Sequence, residues 1–482
     1  MARPRRPSML WSTSLLAAVL AAIAVSTAGC TMHKVKTDRK VPVKLPEQLA
    51  EGGPEGPDRW WIAFGDDGLN RLVMKALRDN YDLRRTWARL EQSAAVARQT
   101  GAASLPTVQA SADAQYSQRA LAIGNQVIDT AAWQFPLSVS ASYELDLWGR
   151  VRATRAAAAT DVAATRQDLS AMAMTVAARV GDTWLSLIER REQKRLIEEQ
   201  IKISEQLLQV VQGRFAQGLV SAVDVLQQRQ QVETARGQLP LVDSAIGVLT
   251  NQLRALLGMP PRTPLDVPEA TRIPELPPMP AVAEPAKLLD RRPDVRAARL
   301  RVLAADHRVG VALANRFPTL RLSGQAGVTG VITDKATTLN PAWSLAAGVA
   351  RPLFDGGRLG AEHDRTKIAL RDSVLAWAQA IVRALHEVDD ALTRERQQRA
   401  HIAGLQAQLT TARKTFDESK RRYMTGVGDF VRVLAAEQSV QRLQRSLLSA
   451  RRQLLSHRVS LHRAMGGGWT SKLVKRSERD GA

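Results

Sequence analysis

The sequence has 482 residues, of which 24% are charged and 45% hydrophobic, with a net charge of +21 and a mean hydropathy of -0.21. This balance is typical of a folded protein and excludes both a wholly disordered chain and a polytopic helical membrane protein. A single cysteine excludes an intrachain disulfide and a cysteine-rich zinc site. The common nucleotide-binding, hydrolase and zinc-protease motifs are also absent from the sequence.

The positive charge raises the possibility of nucleic-acid binding. The basic residues, however, are mostly arginines spread along helical stretches and interleaved with Glu, Asp and Gln. Aromatic residues make up only 4% of the chain, too few for a surface on which bases stack. We therefore expect no nucleic-acid partner.

Residues 1–29 have the parts of a secretory signal peptide: arginines at the start, an apolar stretch from about Met9 to Val25, and small residues before Cys30. Cys30 is the only cysteine and follows Ala28-Gly29, which resembles a bacterial lipobox, although Thr27 stands where Leu or Val is usual. We predict cleavage before Cys30 and lipidation of its thiol. The alternative is plain secretion with an incidental cysteine.

The residue after this cysteine is Thr31 rather than the Asp that retains lipoproteins at the inner membrane. The predicted destination is therefore the outer membrane. One acyl anchor gives only marginal attachment, so a second element that contacts lipid is expected.

The rest of the chain contains two related halves. Leu105-Pro106 recurs as Phe317-Pro318 at an offset of 212, and Arg214-Phe215-x-x-Gly218 recurs as Arg422-Tyr423-x-x-Gly426 at an offset of 208. Three further pairs keep these offsets: residues 80–84 with 292–296, 148–150 with 356–358, and 257–258 with 465–466. We interpret the halves as two copies of one supersecondary unit, because the period is too long for a solenoid.

These repeats divide the chain into predicted segments. An extended segment covers 31–68, the first repeat 69–258, a Pro-rich linker 259–286, the second repeat 287–468, and a basic tail 469–482.

Each repeat predicts the same order of elements. A helix over Leu69–Gly101, or Leu288–Arg316, is followed by two strands and then by a very long helix. The long helices run from Arg150 to about Gln212 and from Arg358 to about Lys420, with Ala, Leu, Gln, Arg and Glu dominating and Pro and Gly nearly absent. About 62 residues in a helix span roughly 90 Å. A glycine-containing turn then leads into a last helix.

Four segments alternate apolar and polar residues over about ten positions: 108–117, 137–146, 320–328 and 343–350. This is the length of a tilted strand that crosses a bilayer. Polar loops over 119–132 and 329–341 are expected to join the strands in pairs. A half-buried sheet in a soluble domain is the alternative, but the export signal favours membrane strands.

Four strands cannot close a barrel, and the open edges of such a sheet would leave unpaired backbone groups in lipid. We therefore expect the chain to oligomerise. Two chains would supply eight strands, a barrel filled by its own side chains, whereas three chains would supply twelve strands around an open lumen.

Several ordered motifs resemble the outer-membrane efflux lipoproteins of the NodT branch, which are relatives of TolC. They are Trp60-Trp61-x-x-Phe64-Gly65-Asp66, residues 143–150 (YELDLWGR), 291–296 (RRPDVR), 352–358 (PLFDGGR) and 466–469 (GGGW). The resemblance covers about residues 55–470.

The resemblance implies an α+β membrane protein that forms a homotrimer in a Gram-negative outer membrane. Its twelve-stranded barrel, with four strands from each chain, would continue into an α-helical coiled-coil barrel in the periplasm. A periplasmic adaptor and an inner-membrane pump of the RND type are the implied partners. No catalysis is implied, and no cofactor besides the covalent lipid on Cys30.

In that family, helix turns close the periplasmic end through polar contacts and carboxylates. Here Gly218 and Gly426 are expected to reverse the chain at the two turns. Asp224 follows the first turn where the family often has Asp, so three copies would form a carboxylate ring that favours cations. The alternative is that Asp224 is an ordinary solvated or helix-capping residue.

The second turn departs from the family pattern. Arg432 stands at the position equivalent to Asp224, Ala435 fills a position where the family often has Asp, and Asp429 lies nearby. Arg422 and Tyr423 complete the candidate gate residues. Trp60 and Trp61 are expected to pack in the protein interior, with ligand binding as the alternative.

Two other functions stay open at this point. A duct of this kind could serve a type I-like protein secretion system. A protein of a different class, a periplasmic coiled-coil adaptor or scaffold, is the other alternative, although adaptors normally carry a lipoyl-like β-domain and the sequence shows none between the helices.

Overall fold

A computed structural model describes residues 32–47, 58–123, 126–265, 272–282, 284–334 and 336–470. The predicted signal peptide, Cys30 and residues 471–482 of the basic tail lie outside the described residues. The chain divides into two compact units. Of the described residues, one unit comprises those within 32–42, 90–165 and 298–377, and the other comprises those within 43–89, 166–297 and 378–470.

The first unit contains one antiparallel sheet. Its strands are β1 (Thr107–Ala112), β2 (Gln115–Ile123), β3 (Gln126–Leu145), β4 (Thr319–Thr333) and β5 (Thr337–Ala350). Strands β1 and β2 both pair with β3, and a single register joins Thr107 to Ser142 and Gln115 to Gln134. They therefore act as one interrupted strand, and the sheet has the order β1/β2, β3, β4, β5.

The predicted polar loops over 119–132 and 329–341 are wrong, because most of these residues belong to strands. Strands β2 and β3 pair from Gln115↔Gln134 out to Ile123↔Gln126, and β4 and β5 pair out to Ile332↔Thr337. Backbone pairing across an antiparallel hairpin does not require alternating hydrophobicity, and the sequence pattern alone therefore ended these strands too early.

A residue with a carboxylate side chain sits at each junction from strand to long helix. Asp146 accepts hydrogen bonds from the backbone N–H groups of Val151 and Arg152, both at 2.9 Å. Asp355 accepts from the N–H groups of Gly357 at 3.0 Å and Leu359 at 2.9 Å. These bonds satisfy N–H groups that the first turn of a helix leaves without partners.

Eight α-helices are described in the ranges given above. Two helices come before the strands in each half, α1 (Asp67–Asp79) and α2 (Tyr81–Ala102) in the first half and α5 (Pro285–Arg291) and α6 (Pro293–Ala314) in the second. The other four follow the strands: α3 (Arg150–Ala216), α4 (Ala222–Leu256), α7 (Arg358–Met424) and α8 (Phe430–Met465). Of the helices in the described residues, none combines the length and apolar character that a bilayer-spanning helix requires.

Helices α3 and α7 begin at the predicted residues and contain 67 residues each. By contrast, the predicted single helices 69–101 and 288–316 are each broken. Asn80 has extended backbone, donates from its side chain to Leu256 O at 2.8 Å, and accepts from Leu83 N at 3.0 Å. Arg292 occupies the equivalent position, where the following Pro293 disfavours helical backbone.

The N-terminal segment of the first unit, residues 32–42, is held against α6 by one buried carboxylate. Asp306 accepts from Arg39 Nη2 at 2.9 Å and Lys36 N at 3.0 Å, and it lies 2.6 Å from His33 Nε2. Contacts with the Asp306 side chain thus fix the course of residues 32–42, which form no helix or strand.

Buried aromatic and charged groups lie within the largely aliphatic core of the second unit. Trp61 and Trp184 are fully buried, with Trp184 donating to Asp66 at 2.7 Å and Trp61 to Asn70 at 3.1 Å. Trp60 is also buried, so both tryptophans of the motif are packing residues. Arg458 is fully buried, pairs with Glu395 at 2.5 Å, and donates to the linker carbonyl of Pro278 at 2.6 Å.

Candidate gate at the helix turns

Each long helix ends in a short turn that reverses the chain. Gly218 has φ +73° and donates its N–H to Phe215 O at 2.9 Å. Gly426 has φ +81° and donates to Tyr423 O at 3.1 Å. Both glycines adopt the left-handed conformation that other residues rarely take, which is why the chain can turn there.

Gly428 is a further requirement of the second turn that the sequence did not single out. A Cβ atom at this position would lie 2.7 Å from Tyr423 N and 2.8 Å from the carbonyl carbon of Arg422. The signal was present, since two glycines within three residues are typical of a tight turn.

Asp224 and Asp429 both cap the helices that follow the turns. Asp224 accepts from Ser221 N at 3.1 Å, and its own N–H donates to Ser221 Oγ at 3.3 Å, a reciprocal capping box. Asp429 accepts from Val431 N at 3.0 Å. The capping alternative for Asp224 is therefore what the single chain displays.

The other gate candidates have different environments. Arg422 and Arg432 are exposed, whereas Tyr423 is buried and its ring lies 5.4 Å from that of Phe430. The guanidinium of Arg214 sits over the Tyr423 ring at 4.9 Å and also donates to Met424 O at 3.0 Å. Burial raises the pKa of the Tyr423 hydroxyl. Arg214 thus fastens the end of α3 to the end of α7.

A buried polar layer, which sequence reasoning missed, lies where α3, α4 and α8 meet. We define it by Ser204 of α3, Gln228 and Gln231 of α4, and Glu437 and Gln441 of α8. Gln441 donates to Ser204 Oγ at 3.1 Å, and Gln231 donates to Gln441 at 2.9 Å. The sequence contains one signal for this layer: its polar residues lie on helix faces that are otherwise apolar.

Glu437 is the charged member of the layer and is only 2% exposed. Its carboxylate accepts from Ser204 Oγ at 2.5 Å, from Gln441 Nε2 at 3.1 Å and from Gln228 Nε2 at 3.3 Å. All three donors are neutral groups. Burial raises the pKa of Glu437, and the hydrogen bonds from Ser204 and Gln228 oppose this shift only in part.

The contacts within each pair of helices are mainly apolar. Ile197, Ile201, Ala235 and Val242 form a cluster between α3 and α4. Ile402, Leu405, Leu409, Leu447 and Ala450 form another between α7 and α8. Because its contacts are polar, the layer between α8 and the α3–α4 pair gains less from burial than these clusters do.

The site offers hydrogen bonds and charges rather than reactive groups. Within the described ranges, no three His, Cys, Asp or Glu residues are placed to hold a metal ion. What the arrangement can do chemically is hold helix ends together and present charge at the turns.

Comparisons with known proteins agree with the fold. The sequence model of the Outer membrane efflux protein family matches residues 72–259 and 285–467. The pyoverdine export outer membrane protein OpmQ of Pseudomonas aeruginosa is 31% identical over 438 residues, which cover 88% of this chain and 90% of that protein. Nodulation protein T of Rhizobium leguminosarum bv. trifolii is 25% identical over 452 residues, or 92% of this chain and 95% of that one.

Among solved structures, the outer-membrane channel OprN superposes with a TM-score of 0.83 at 25% identity, covering 92% of this chain and all of that one. The chain therefore belongs to the outer membrane efflux protein family and has the TolC-like fold. The predicted resemblance to NodT-type efflux proteins is confirmed.

The raised pKa of Glu437 predicts a pH-dependent stability. The folded state holds this proton more tightly than the unfolded state, so stability falls as pH rises from the usual carboxyl value near 4.5 through the raised value. Glu437→Gln removes the titration, and the decline of the melting temperature between pH 4.5 and 8 should become shallower. Thermal unfolding in detergent measures this.

Glu418→Gln is the matched control, because Glu418 is half exposed and pairs with Arg421 on the surface of α7. It should leave the pH dependence unchanged. An unaltered decline in Glu437→Gln would show that Glu437 is already fully ionised in the folded protein at these pH values.

Proposed function

We propose that this protein is the outer-membrane channel of a tripartite efflux system, a passive exit duct for small toxic compounds. The observation that carries the proposal is the sheet, in which β1/β2 and β5 form the two edges and have no further partner strand within the described chain. Edges of this kind are costly in hydrocarbon and are satisfied when several copies share one barrel. Three copies give a lumen wide enough for transport.

Its partners follow from this assignment. A duct supplies no energy of its own, so an inner-membrane pump of the RND type and a periplasmic adaptor drive export. The names of its relatives support efflux, since OpmQ is a pyoverdine exporter and TtgF of Pseudomonas putida, 30% identical over 420 residues, belongs to a toluene efflux pump. The sheet and the family also disfavour a coiled-coil scaffold.

We also propose that the turns form a constriction when three copies meet. The Asp224 side chains would then lie around one axis, and three carboxylates would concentrate negative potential there. Arg422, Tyr423, Asp429 and Arg432 would surround them. The capping hydrogen bond that Asp224 accepts from Ser221 N is compatible with this arrangement.

Planar-bilayer recording tests the duct and its constriction together. The wild-type protein should conduct ions and be blocked by a trivalent cation, and Asp224→Asn should weaken this block by about tenfold, since three negative charges are lost. Asn can still accept the capping hydrogen bond. Asp417→Asn, an exposed change of the same charge on α7, should leave the block as it was.

The two parts of this proposal fail separately. A protein that folds but never conducts would contradict the duct. If the protein conducts and the trivalent cation blocks the Asp224→Asn channel as strongly as the wild-type channel, the only role of Asp224 is helix capping.

The lipid anchor is a further part of the proposal. In the sequence Cys30 precedes residues 32–42, the segment that Asp306 holds against α6. Metabolic labelling with palmitate should mark the wild-type protein and be lost in Cys30→Ala. If Cys30→Ala still carries the palmitate label, Cys30 is not the lipidated residue. Cys30→Ser is the matched control for side-chain size, and it should lose the label as Cys30→Ala does.

A further inference from the structure

The first unit contains a cavity of about 440 Å³ beside the start of α3. Its volume falls in the range of small-molecule sites, roughly 300–1,000 Å³. Three parts of the chain line it: the N-terminal segment, the junction between β3 and α3, and α6. Among the described residues that line it, none belongs to a strand or to a turn between long helices. The cavity is therefore separate from the lumen-forming strands and from the candidate gate.

The cavity wall offers hydrogen-bond donors and positive charge. Its ionisable side chains are His33, Lys34, Arg152 and His307, and the described lining residues include no Asp or Glu. Lys34 is exposed, and its side chain makes no hydrogen bond or ion pair within the described part of the chain. A concave wall with one sign of charge favours a ligand of the opposite sign. The wall therefore suits an anion.

Two carboxylates behind the wall hold two of these donors in place. Asp306 lies 2.6 Å from His33 Nε2, and Asp146 accepts from Arg152 Nε at 3.3 Å. A Cβ atom at Gly310 would lie 3.4 Å from His33 Cβ, so this glycine allows the N-terminal segment to pack closely on α6. Side chains that are already ordered lose little conformational entropy when a ligand binds.

The remainder of the wall is mostly apolar. Met32 and Val35 of the N-terminal segment and Ala153 and Ala156 of α3 line the cavity beside the donors. A free phosphate ion would gain nothing from these side chains. A phosphate that is esterified to an acylated glycerol would bury part of its apolar surface against them. The lining therefore fits a lipid headgroup better than a free anion.

The place of the cavity in the fold points to the same class of ligand. Trp148, which lines it, follows the end of β3 by three residues, and its ring stacks on Phe317 just ahead of β4. The long helix α3 leaves the sheet at this end. Under the proposed function this end lies among the headgroups of the periplasm-facing leaflet, where tryptophan is enriched. The proposed lipidation site, Cys30, precedes Met32 by two positions in the sequence.

We propose that this cavity binds the phosphate group of an anionic glycerophospholipid from the periplasm-facing leaflet. Lys34 supplies the positive charge that is not paired with a carboxylate, and the imidazole and guanidinium N–H groups of the wall supply hydrogen bonds. The inference rests on the proposed function, which places this end of the sheet among the headgroups. A bound lipid would contact all three parts of the chain that line the cavity.

Lipid titration of the detergent-solubilised, full-length protein tests this assignment. The probe is dihexanoyl phosphatidylglycerol, and mass spectrometry of the intact complex counts the bound molecules. We expect one saturable site for each chain and weaker binding of dihexanoyl phosphatidylcholine, because its choline cation offsets the phosphate charge. Equal affinity for the two lipids would overturn the assignment to an anionic headgroup.

A charge reversal tests the role of Lys34. Lys34→Glu should raise the dissociation constant for phosphatidylglycerol about tenfold, because a negative charge replaces the positive one on the wall. Lys40→Glu is the matched control, since Lys40 is exposed on the same segment and does not line the cavity. It should leave the dissociation constant unchanged. Equal losses of affinity in the two variants would indicate diffuse attraction to a basic segment and would overturn the cavity site.

A second variant narrows the cavity without a change of charge. Ala156→Leu enlarges a side chain of the wall and should weaken lipid binding. Ala159→Leu, the same change at an exposed position of α3 that does not line the cavity, should not weaken it. Wild-type affinity in both Lys34→Glu and Ala156→Leu would overturn the proposal.

Competition with inorganic phosphate identifies the source of the anion. Phosphate at the concentration of the bound lipid should not displace phosphatidylglycerol, because it lacks the apolar part that the wall accommodates. Displacement at equal concentration would assign the cavity to a free anion and overturn the lipid assignment.

The outcomes separate this inference from the proposed function. A wild-type protein that conducts ions but has no saturable phosphatidylglycerol site overturns the lipid proposal alone. A protein that binds this lipid in the manner described but never conducts would contradict the duct and leave the cavity site in place.

Discussion

The sheet edge is the constraint on which the rest of this structure depends. A backbone N–H or C=O group in hydrocarbon must be hydrogen-bonded to protein, and a sheet with β1/β2 at one edge and β5 at the other leaves two rows of such groups without a partner strand in the described chain. More copies of the same chain remove this cost because they bring identical, complementary edges. Under the proposed function, oligomerisation is therefore a requirement of the sheet and would not depend on one favourable surface contact.

Duplication of one unit explains how so simple a sheet can be closed. The contact between β3 and β4 within the chain already shows how two repeats join, with an aromatic ring packed on a Pro corner beneath the strands. Under the proposed function, three copies would place six such repeats around one barrel. The helices use both kinds of contact. Each long helix packs on its own partner mainly through apolar side chains. Helix α8 meets the α3–α4 pair through the layer around Glu437 and also through an apolar cluster, in which Leu207 and Val211 of α3 pack with Phe430 and Val433.

Much of this architecture was predictable because it depends on local patterns. The long helices start at Arg150 and Arg358 as the composition and the preceding glycines indicate, and the chain reverses at Gly218 and Gly426. Period-two alternation located the four strand positions. The capping box at Asp224 was also within reach, because Ser221 precedes it by three residues.

Other features depend on tertiary contacts that no local pattern contains. The strands extend through segments of mixed polarity because their partners are present, and the first helix breaks at Asn80 because its side chain bonds Leu256 O, 176 residues away. The layer around Glu437 joins residues from three helices and has no sequence motif. Tyr423 was predicted as a gate residue, but its burial beneath Arg214 could be seen only in the folded chain.

Native mass spectrometry of the detergent-solubilised protein tests the central claim most directly. The account predicts a particle of three chains, because three copies close a twelve-stranded barrel with no free edge and an open lumen. A folded particle of one chain, with its sheet intact by circular dichroism, would contradict it.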